Sequence, residues 1–564
     1  MPRWALCALL IAFILPGIFG HELWPQDGVG FGRMWAMASG NLADWLLPNV
    51  AGAPAPGGPL PYWIGAVLVL ALGPFVGNTN AAGAANLVWY GVAVFALWQS
   101  AYRLARRDQA QPVAGAFGGE AGRGDYARLV ADVAVLLATA TIGVILRFHQ
   151  TQDDGASVAI VACVIFAASV IEWQPLLAAL LAGLCVAALA LTQGPVPAAA
   201  ILLGWLLLLR HSHRDDAARV PLLRPTLILV LAGAGIPLLW PLAAVHWYPH
   251  EASAFFASWR SALPLGWPGW ESAQWLVRNA TWFLWPIWPL AAWAVYAWRA
   301  SLAAPHLARP LALLAALALA LLGTAPLDER ALVTMIAPMT VLAAFGAITL
   351  RRALDNIIDW LAMAIFSLSL FFFWAYYLAM QTGFPRAMAA SVARLAPGYH
   401  AQVSLPALAL ASAALLAWMQ LIAWRVLRRP QVLWRGPMLA AAGVTVVWFT
   451  ANLLFLPAVD YVFSYRTFAV ELATQLRARG LADGCVQAHR IPLAQRAIIA
   501  YYGAIRFDRE GSAETCRLAL HRESRRSALD NDPPPGVRGM WEMAWAGSRR
   551  ARPDELWRIW VRAQ

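Results

Sequence analysis

From the first residues to about Pro457, apolar runs of roughly 17–25 residues, long enough to cross a bilayer, alternate with short polar connections. The candidates begin near Trp4, Pro61, Ala85, Leu129, Ala156, Pro175, Val196, Pro225, Asn279, Pro310, Ala331, Trp360, Ser404 and Pro437. Their lengths predict transmembrane helices. If every one of them crossed, the Arg-rich stretch Arg103 to Arg128 would lie outside the cell, against the tendency of Arg to stay in the cytosol. The weakest candidate is Pro61 to Val76, which is short, follows a Pro/Gly-rich passage and is interrupted by Gly73-Pro74. Read as juxtamembrane or re-entrant, it leaves about thirteen spans and turns the Arg-bearing loops at 210–224, 299–309, 351–359 and 425–435 to the cytosol. The opposite connections then include outer loops 21–60, 148–155 and 246–278.

Beyond Pro457 the apolar runs stop. The fold class expected is an α-helical polytopic membrane domain over 1–457 followed by a small soluble α/β domain over 458–564 outside the cytosol. Within that domain, Arg466 to Arg479 has helical periodicity and stops at Gly480. Cys485–Ala488 and Ala504–Phe507 read as short strands flanking a helix at Leu493–Tyr502, Leu556–Val561 reads as a further strand, and Ser527–Gly536 reads as a loop.

Composition sharpens this picture. With 60% hydrophobic and 13% charged residues, lipid must be the solvent for most of the chain. The net charge of +12 comes from Arg alone, for there is no Lys, and these Arg residues sit between apolar runs and in the tail. That is the distribution of topology signals and not of a nucleic-acid face. Residues 3–20 have the shape of a signal sequence without a small-x-small cleavage site, so they predict a retained anchor with a cytosolic N-terminus. Cys7, Cys163 and Cys185 lie in apolar runs, whereas Cys485 and Cys516 share the polar domain, where the sequence leaves a disulfide or two thiols open.

Few residues offer chemistry. Asp27, directly after the first span in PQDGVGFGR, is placed either to act as a general base at the bilayer surface or to cap the short helix that starts there. Asp153 and Asp154 stand at the mouth of a later span, and adjacency predicts that one faces a cavity while the other caps the helix. With the topology above, all three carboxylates share one side. His211, His213, Asp215 and Asp216 form a metal-like cluster, but on the Arg-rich side, where a solvated loop is the simpler reading. His246 and His250 are aligned if one helix carries both, and Trp282, Trp285 and Trp288 make a stripe on the same condition. Zinc-protease, CxxC, phosphate-loop and serine-hydrolase motifs are absent from the sequence.

Taken in order, PQDGVGFGRMWAMASGNLADWLLP, PLPYWIGAVLVLALG, the Asp153-Asp154 loop and Leu191-Thr192-Gln193-Gly194-Pro195 resemble the GT-C glycosyltransferases of the aminoarabinose (lipid A) transferase and protein O-mannosyltransferase group. The likeness covers about the first two hundred residues. It implies an enzyme of the bacterial inner membrane that moves a hexosyl or pentosyl group from a polyprenyl-phosphate donor to lipid A, another glycan or a protein on the periplasmic face. Asp27 matches the family's first-loop Asp, and Asp153 or Asp154 matches the second. Gly28 stands where the family has Glu, the lead-in Pro54 to Pro61 lacks an acidic-basic pair before its prolines, and Gln193 replaces a Lys. The resemblance implies Tyr62 and Trp63 as substrate contacts. Arg147, Arg260, Arg278 and Arg330 are the outer-side cations available to a departing phosphate, or else interfacial anchors. The reaction so implied requires no cofactor, and the residues leave a divalent metal open. A carrier that binds lipid-linked sugars without transferring them is the alternative.

Overall fold

The computed structural model describes residues 1–112, 121–215, 221–263, 266–267, 269–324, 328–430, 432–481, 484–509, 516–524 and 541–562. Residues 527–536 and Asp216 lie outside them, as do the side chains of His213 and Asp215. Among the described residues, eight helices are long and apolar enough to cross a membrane, and five shorter apolar helices accompany them. Leu-, Ala- and Val-rich segments form helices in lipid because only internal hydrogen bonding satisfies the backbone there. Proline opens several of them, as at Pro175 and Pro305, where no intrahelical N–H partner is lost. The long helix Arg352–Thr382 stops at Gly383, which has the left-handed φ of 77°.

The connections sort to two ends. At one end Arg107 and Arg309 both hold Glu172, and Arg425 and Arg435 both hold Asp359, each at 2.6 Å, so the Arg-bearing loops cluster together. Met1 joins the same end through Asp132. At the other, Asp27 meets Thr151, Gly58 N–H donates to Thr192, Trp240 Nε1 donates to the Leu46 carbonyl and Arg147 faces Glu329.

The helix Leu60–Val76 has both of its ends at this second end of the bundle. It starts with Leu60 N–H on the Leu191 carbonyl, and just past its C-terminus Asn78 Nδ2 reaches the Tyr501 hydroxyl of the C-terminal domain. Between these points it packs along helix Pro25–Ser39, with Met34 over Gly65 and Val69 buried in the same cluster. The crossing is made by the helix that follows, Asn78–Ala105, whose Asn86 touches Gln150 at one end and whose terminus leads to Arg107 at the other.

The C-terminal domain is α/β. Two-residue strands β1 (Asn49–Val50) and β2 (Ala53–Pro54) pair in the first loop, and β3 (Val486–His489), β4 (Leu518–Ser524), β5 (Trp541–Arg549) and β6 (Arg552–Arg562) form the domain's sheet in the order β3-β4-β6-β5. β3 and β4 run parallel, and β6 is antiparallel to both β4 and β5. Helices Arg466–Ala478 and Leu493–Gly503 bring Phe468, Leu472 and Ile498 into a core with Leu518, Leu520, Trp557 and Ile559. Cys485 and Cys516 form a disulfide, Cα–Cα 5.1 Å, at the start of the parallel pair.

Several sequence expectations are corrected. Ala504–Phe507 forms no strand, only an isolated bridge from Phe507 to Val486. The last membrane helix runs through Pro457 to Phe463, since Asp460 and Tyr461 find partners in Trp24 and Pro397 instead of solvent. The Trp282, Trp285, Trp288 stripe is split, because one helix ends at Phe283 and the next begins at Ile287, past Pro286. His246 and His250 fall on different helices, divided before Pro249.

Candidate active site

Helix Pro25–Ser39 is short because Pro25 opens it and Gly40 ends it. Three glycines on it decide what it touches. A Cβ at Gly28 would meet the Ala494 carbonyl at 2.5 Å, one at Gly32 would meet Ala497 at 2.9 Å, and one at Gly30 would collide with the Thr151 carbonyl. The helix is thus clamped between the C-terminal domain and the second outer loop. Gly28, where the resemblance expects Glu, has no room for a side chain.

Of the two roles expected for Asp27, the cap is not made: its carboxylate caps no helix. It is 1% exposed, and its Oδ1 accepts from Thr151 N–H at 2.9 Å and from Thr151 Oγ1 at 3.3 Å. Oδ2 is buried without a hydrogen-bond partner. Burial raises its pKa above the ordinary carboxylate range, against the opposing field of His21 and the Thr151 bonds.

A cavity of about 350 Å³ opens on the other side of the Gln150–Asp153 turn. Its lining combines the polar Asp153, Asp154, Arg330, Thr192 and Gln193 with the apolar Val196, Leu263, Leu317, Leu321 and the ring of Trp259. Both Asp153 and Asp154 line it and neither caps the helix Asp154–Val170, so the expected division of labour between them does not occur. The reason is cationic: Arg147 Nη1 lies 3.0 Å from Asp154 Oδ2, and Arg330 reaches Asp154 and Asp153 at 3.5 Å each. Asp154 Oδ1 has no partner. Asp27 is brought to the loop that carries this pair but stands behind Thr151, outside the lining.

The remaining expected residues divide. Tyr62 is 2% exposed and lies within electrostatic reach of Asp153, Asp154 and Arg330. Trp63 turns away, its Nε1 donating to the Trp45 carbonyl at 2.7 Å. Arg260 and Arg278 are exposed and outside the cavity lining, because their helices turn other residues inward: Ala252, Phe255 and Trp259 on Pro249–Ala262, and Phe283 on Trp270–Phe283. Among the described residues no group of three His, Cys, Asp or Glu could hold a metal, and His211 is exposed.

One residue went unread in the sequence. Arg33, on helix Pro25–Ser39, is 7% exposed, donates to the Tyr62 hydroxyl at 2.5 Å and to the Pro56 carbonyl at 2.6 Å, and stacks over the Tyr62 ring at 4.7 Å. A Cβ on Gly57, a cavity-lining residue with φ of 138°, would meet its two Nη atoms at 3.2 and 3.3 Å. The guanidinium therefore fills the space over a lead-in that has no basic residue of its own. The available signal was a lone Arg six residues after Asp27 in an outer loop otherwise poor in Arg.

A many-helix membrane domain with a cavity lined by both charged and apolar residues, joined to a small α/β domain, defines the class of the fold. Its likeness among solved structures is to ArnT from Cupriavidus metallidurans, seen bound to undecaprenyl phosphate and in the apo state, with a TM-score of 0.64 over 99% of this chain and 96% of that one at 13% identity. A more distant likeness, TM-score 0.42 at 12% identity over 89% of this chain and 63% of the other, is to the Archaeoglobus fulgidus oligosaccharyltransferase. The fold of this chain is ArnT-like. No family model and no curated protein matches the chain by sequence.

Proposed function

We propose that the protein is a membrane glycosyltransferase that takes a sugar from a polyprenyl-phosphate donor and passes it to lipid A, another glycan or a protein. The observation that carries this reading is the cavity, whose apolar lining residues suit a prenyl tail and whose Asp153, Asp154 and Arg330 suit the sugar and phosphate. In a Gram-negative cell the reading places it in the inner membrane, with the Arg-rich end and N-terminus cytosolic and residues 458–564 periplasmic.

In the proposed step the acceptor hydroxyl attacks the anomeric carbon, the bond from that carbon to the phosphate oxygen breaks, and the phosphate leaves with the electron pair. Asp27 takes the hydroxyl proton. Of the three carboxylates it is the best base: Asp153 and Asp154 are paired with guanidinium groups, whereas Asp27 has only the neutral donors of Thr151 and keeps Oδ2 free. Because Oδ2 is enclosed behind the 150–153 turn, the acceptor must displace that turn to reach it. Arg330, which lines the cavity, helps to meet the departing phosphate.

The purified protein, given labelled polyprenyl-phosphate sugars and candidate acceptors, is expected to release sugar to one of them, and Asp27→Asn to lose at least about a hundredfold in rate. Transfer by Asp27→Asn at the parent's rate removes Asp27 as base. Saturable binding with no transfer by the parent selects the second reading, a binder or translocator of lipid-linked sugars, which the filled space at Gly28 favours.

A further inference from the structure

Arg33 is set apart from the other buried arginines by what it lacks. Arg309, Arg425, Arg435, Arg496, Arg549 and Arg558 are also buried, and each has a carboxylate of Glu172, Asp359, Asp355, Asp508, Glu555 or Glu523 within salt-bridge distance. Arg33 has none among the described residues. Its partners are a phenol and a backbone carbonyl, both neutral, and its Nε is buried with no partner at all. A buried charge without a counter-charge is costly, and the usual remedies are a partner or solvent. Arg33 has no counter-charge among the described residues, and what stands between the guanidinium and the cavity is a glycine, Gly57, that puts no side chain in the way.

The outer-side cations around the cavity are already engaged. Arg147 is bound to Asp154 and faces Glu329, and Arg330 is shared by Asp153 and Asp154. An anion entering the cavity would have to compete with these carboxylates for Arg147 and Arg330, but with none among the described residues for Arg33. We infer that the Arg33 guanidinium, oriented by Tyr62 and lying directly behind the cavity-lining Gly57, is the principal seat for the phosphate of the lipid-linked substrate, reached when the Gly57 backbone yields, with Arg330 in a secondary role. This rests on the reading that the cavity takes a polyprenyl phosphate, and it names the group that holds the charge.

The planar fork of Arg suits this task, since two of its edges can stay on Tyr62 and Pro56 while the rest faces phosphate oxygens. The binding site therefore draws on the surface helix, the Pro/Gly-rich strap and the following helix together.

The test compares undecaprenyl phosphate with undecaprenol, which has the same tail and no phosphate, binding to the full-length protein in nanodiscs. The parent is expected to prefer the phosphate. Arg33→Gln keeps a neutral donor for Pro56 or Tyr62 but no charge, and is expected to lower that preference about 10- to 100-fold while undecaprenol binding changes less than about twofold. Arg33→Lys keeps the charge without the fork and is expected to lower the preference about 3- to 10-fold. A preference in Arg33→Gln within about twofold of the parent's overturns the inference. If Arg33→Gln does not fold, Arg33→Lys decides, and an undiminished preference there overturns it. A parent that does not distinguish the two lipids removes the functional reading itself, an outcome separate from either variant's.

Discussion

Asp27 carries two opposite consequences of one fact, its burial. As a base it must be ionised, and burial holds its pKa above the ordinary carboxylate range. Transfer is therefore expected to rise with pH through a limb lying above that range, and a pH–rate profile of the purified protein with its acid limb in the ordinary range would contradict the assignment. The stability consequence has the other sign. In the window between the unfolded and the folded pKa the native state binds more protons than the unfolded one, so stability is greatest below that window and falls as pH rises through it. Asp27→Asn removes this penalty, and thermal unfolding at neutral pH is expected to show it as stable as the parent or more so. Gly28 lies one residue on and behaves differently. Any side chain there meets Ala494 backbone at 2.5 to 3.0 Å, so Gly28→Glu is expected to lower the unfolding temperature, by about 1–3 kcal/mol of stability, without restoring any acid function. At this scale the sequence was readable for Asp27 by position, but not the contacts that keep it from capping its helix and bury it, because these come from Thr151, far along the chain.

Helix Leu60–Val76 shows what local pattern can and cannot say about an element. Its apolar content fits a span, and the sign of the Arg-rich loop after the next helix, with its short length and the Gly73-Pro74 interruption, argued against a crossing. The structure gives the physical means: a run of Gly65, Ala66 and Val69 lets it lie against Met34 and Met37 of the surface helix, with Val67, Leu70 and Phe75 left exposed to lipid. If both ends stay on one side, single cysteines placed at Val76 and at the exposed loop residue Leu42 are both labelled by a membrane-impermeant reagent from the same side of the membrane. Labelling from opposite sides would make the helix a span and reverse every connection that follows. The strands were harder to foresee. β4 and β5 carry His521, Arg522, Glu542 and Arg549 among their apolar residues, so their pairing with β6 depends on neighbours distant in sequence and not on alternation alone. Arg33 was missed for a related reason: a single Arg on a small-residue helix is identical in sequence whether it faces water or a cavity, and its meaning comes from Tyr62, Pro56 and Gly57 folding around it.

At the scale of the whole molecule, the C-terminal domain is part of the structure that shapes the site. Arg496 donates to the Ala51 carbonyl at 2.9 Å, Arg509 lies 3.7 Å from Asp44, and Gly52 packs on the Asp508 backbone, so the domain holds the first outer loop as well as the surface helix. Its own fold is closed by the bond from Cys485 to Cys516 across 31 residues, which ties β3 to the strand it pairs with in parallel. A loop of that length is expected to contribute about 2–4 kcal/mol, and its loss in Cys485→Ser with Cys516→Ser should loosen the domain's grip on loop 21–60 and raise its susceptibility to protease before the membrane helices unfold. The same bond reports the compartment, since it persists only where the surroundings are oxidising. In a background with Cys7, Cys163 and Cys185 replaced by Ala, protein taken from cells with thiols blocked on lysis is expected to accept a maleimide label at these two positions only after reduction. Quantitative labelling before reduction would put the domain in a reducing compartment, and with it Asp27 and the cavity, since Gly28 and Gly32 bind the domain directly to the helix that carries them.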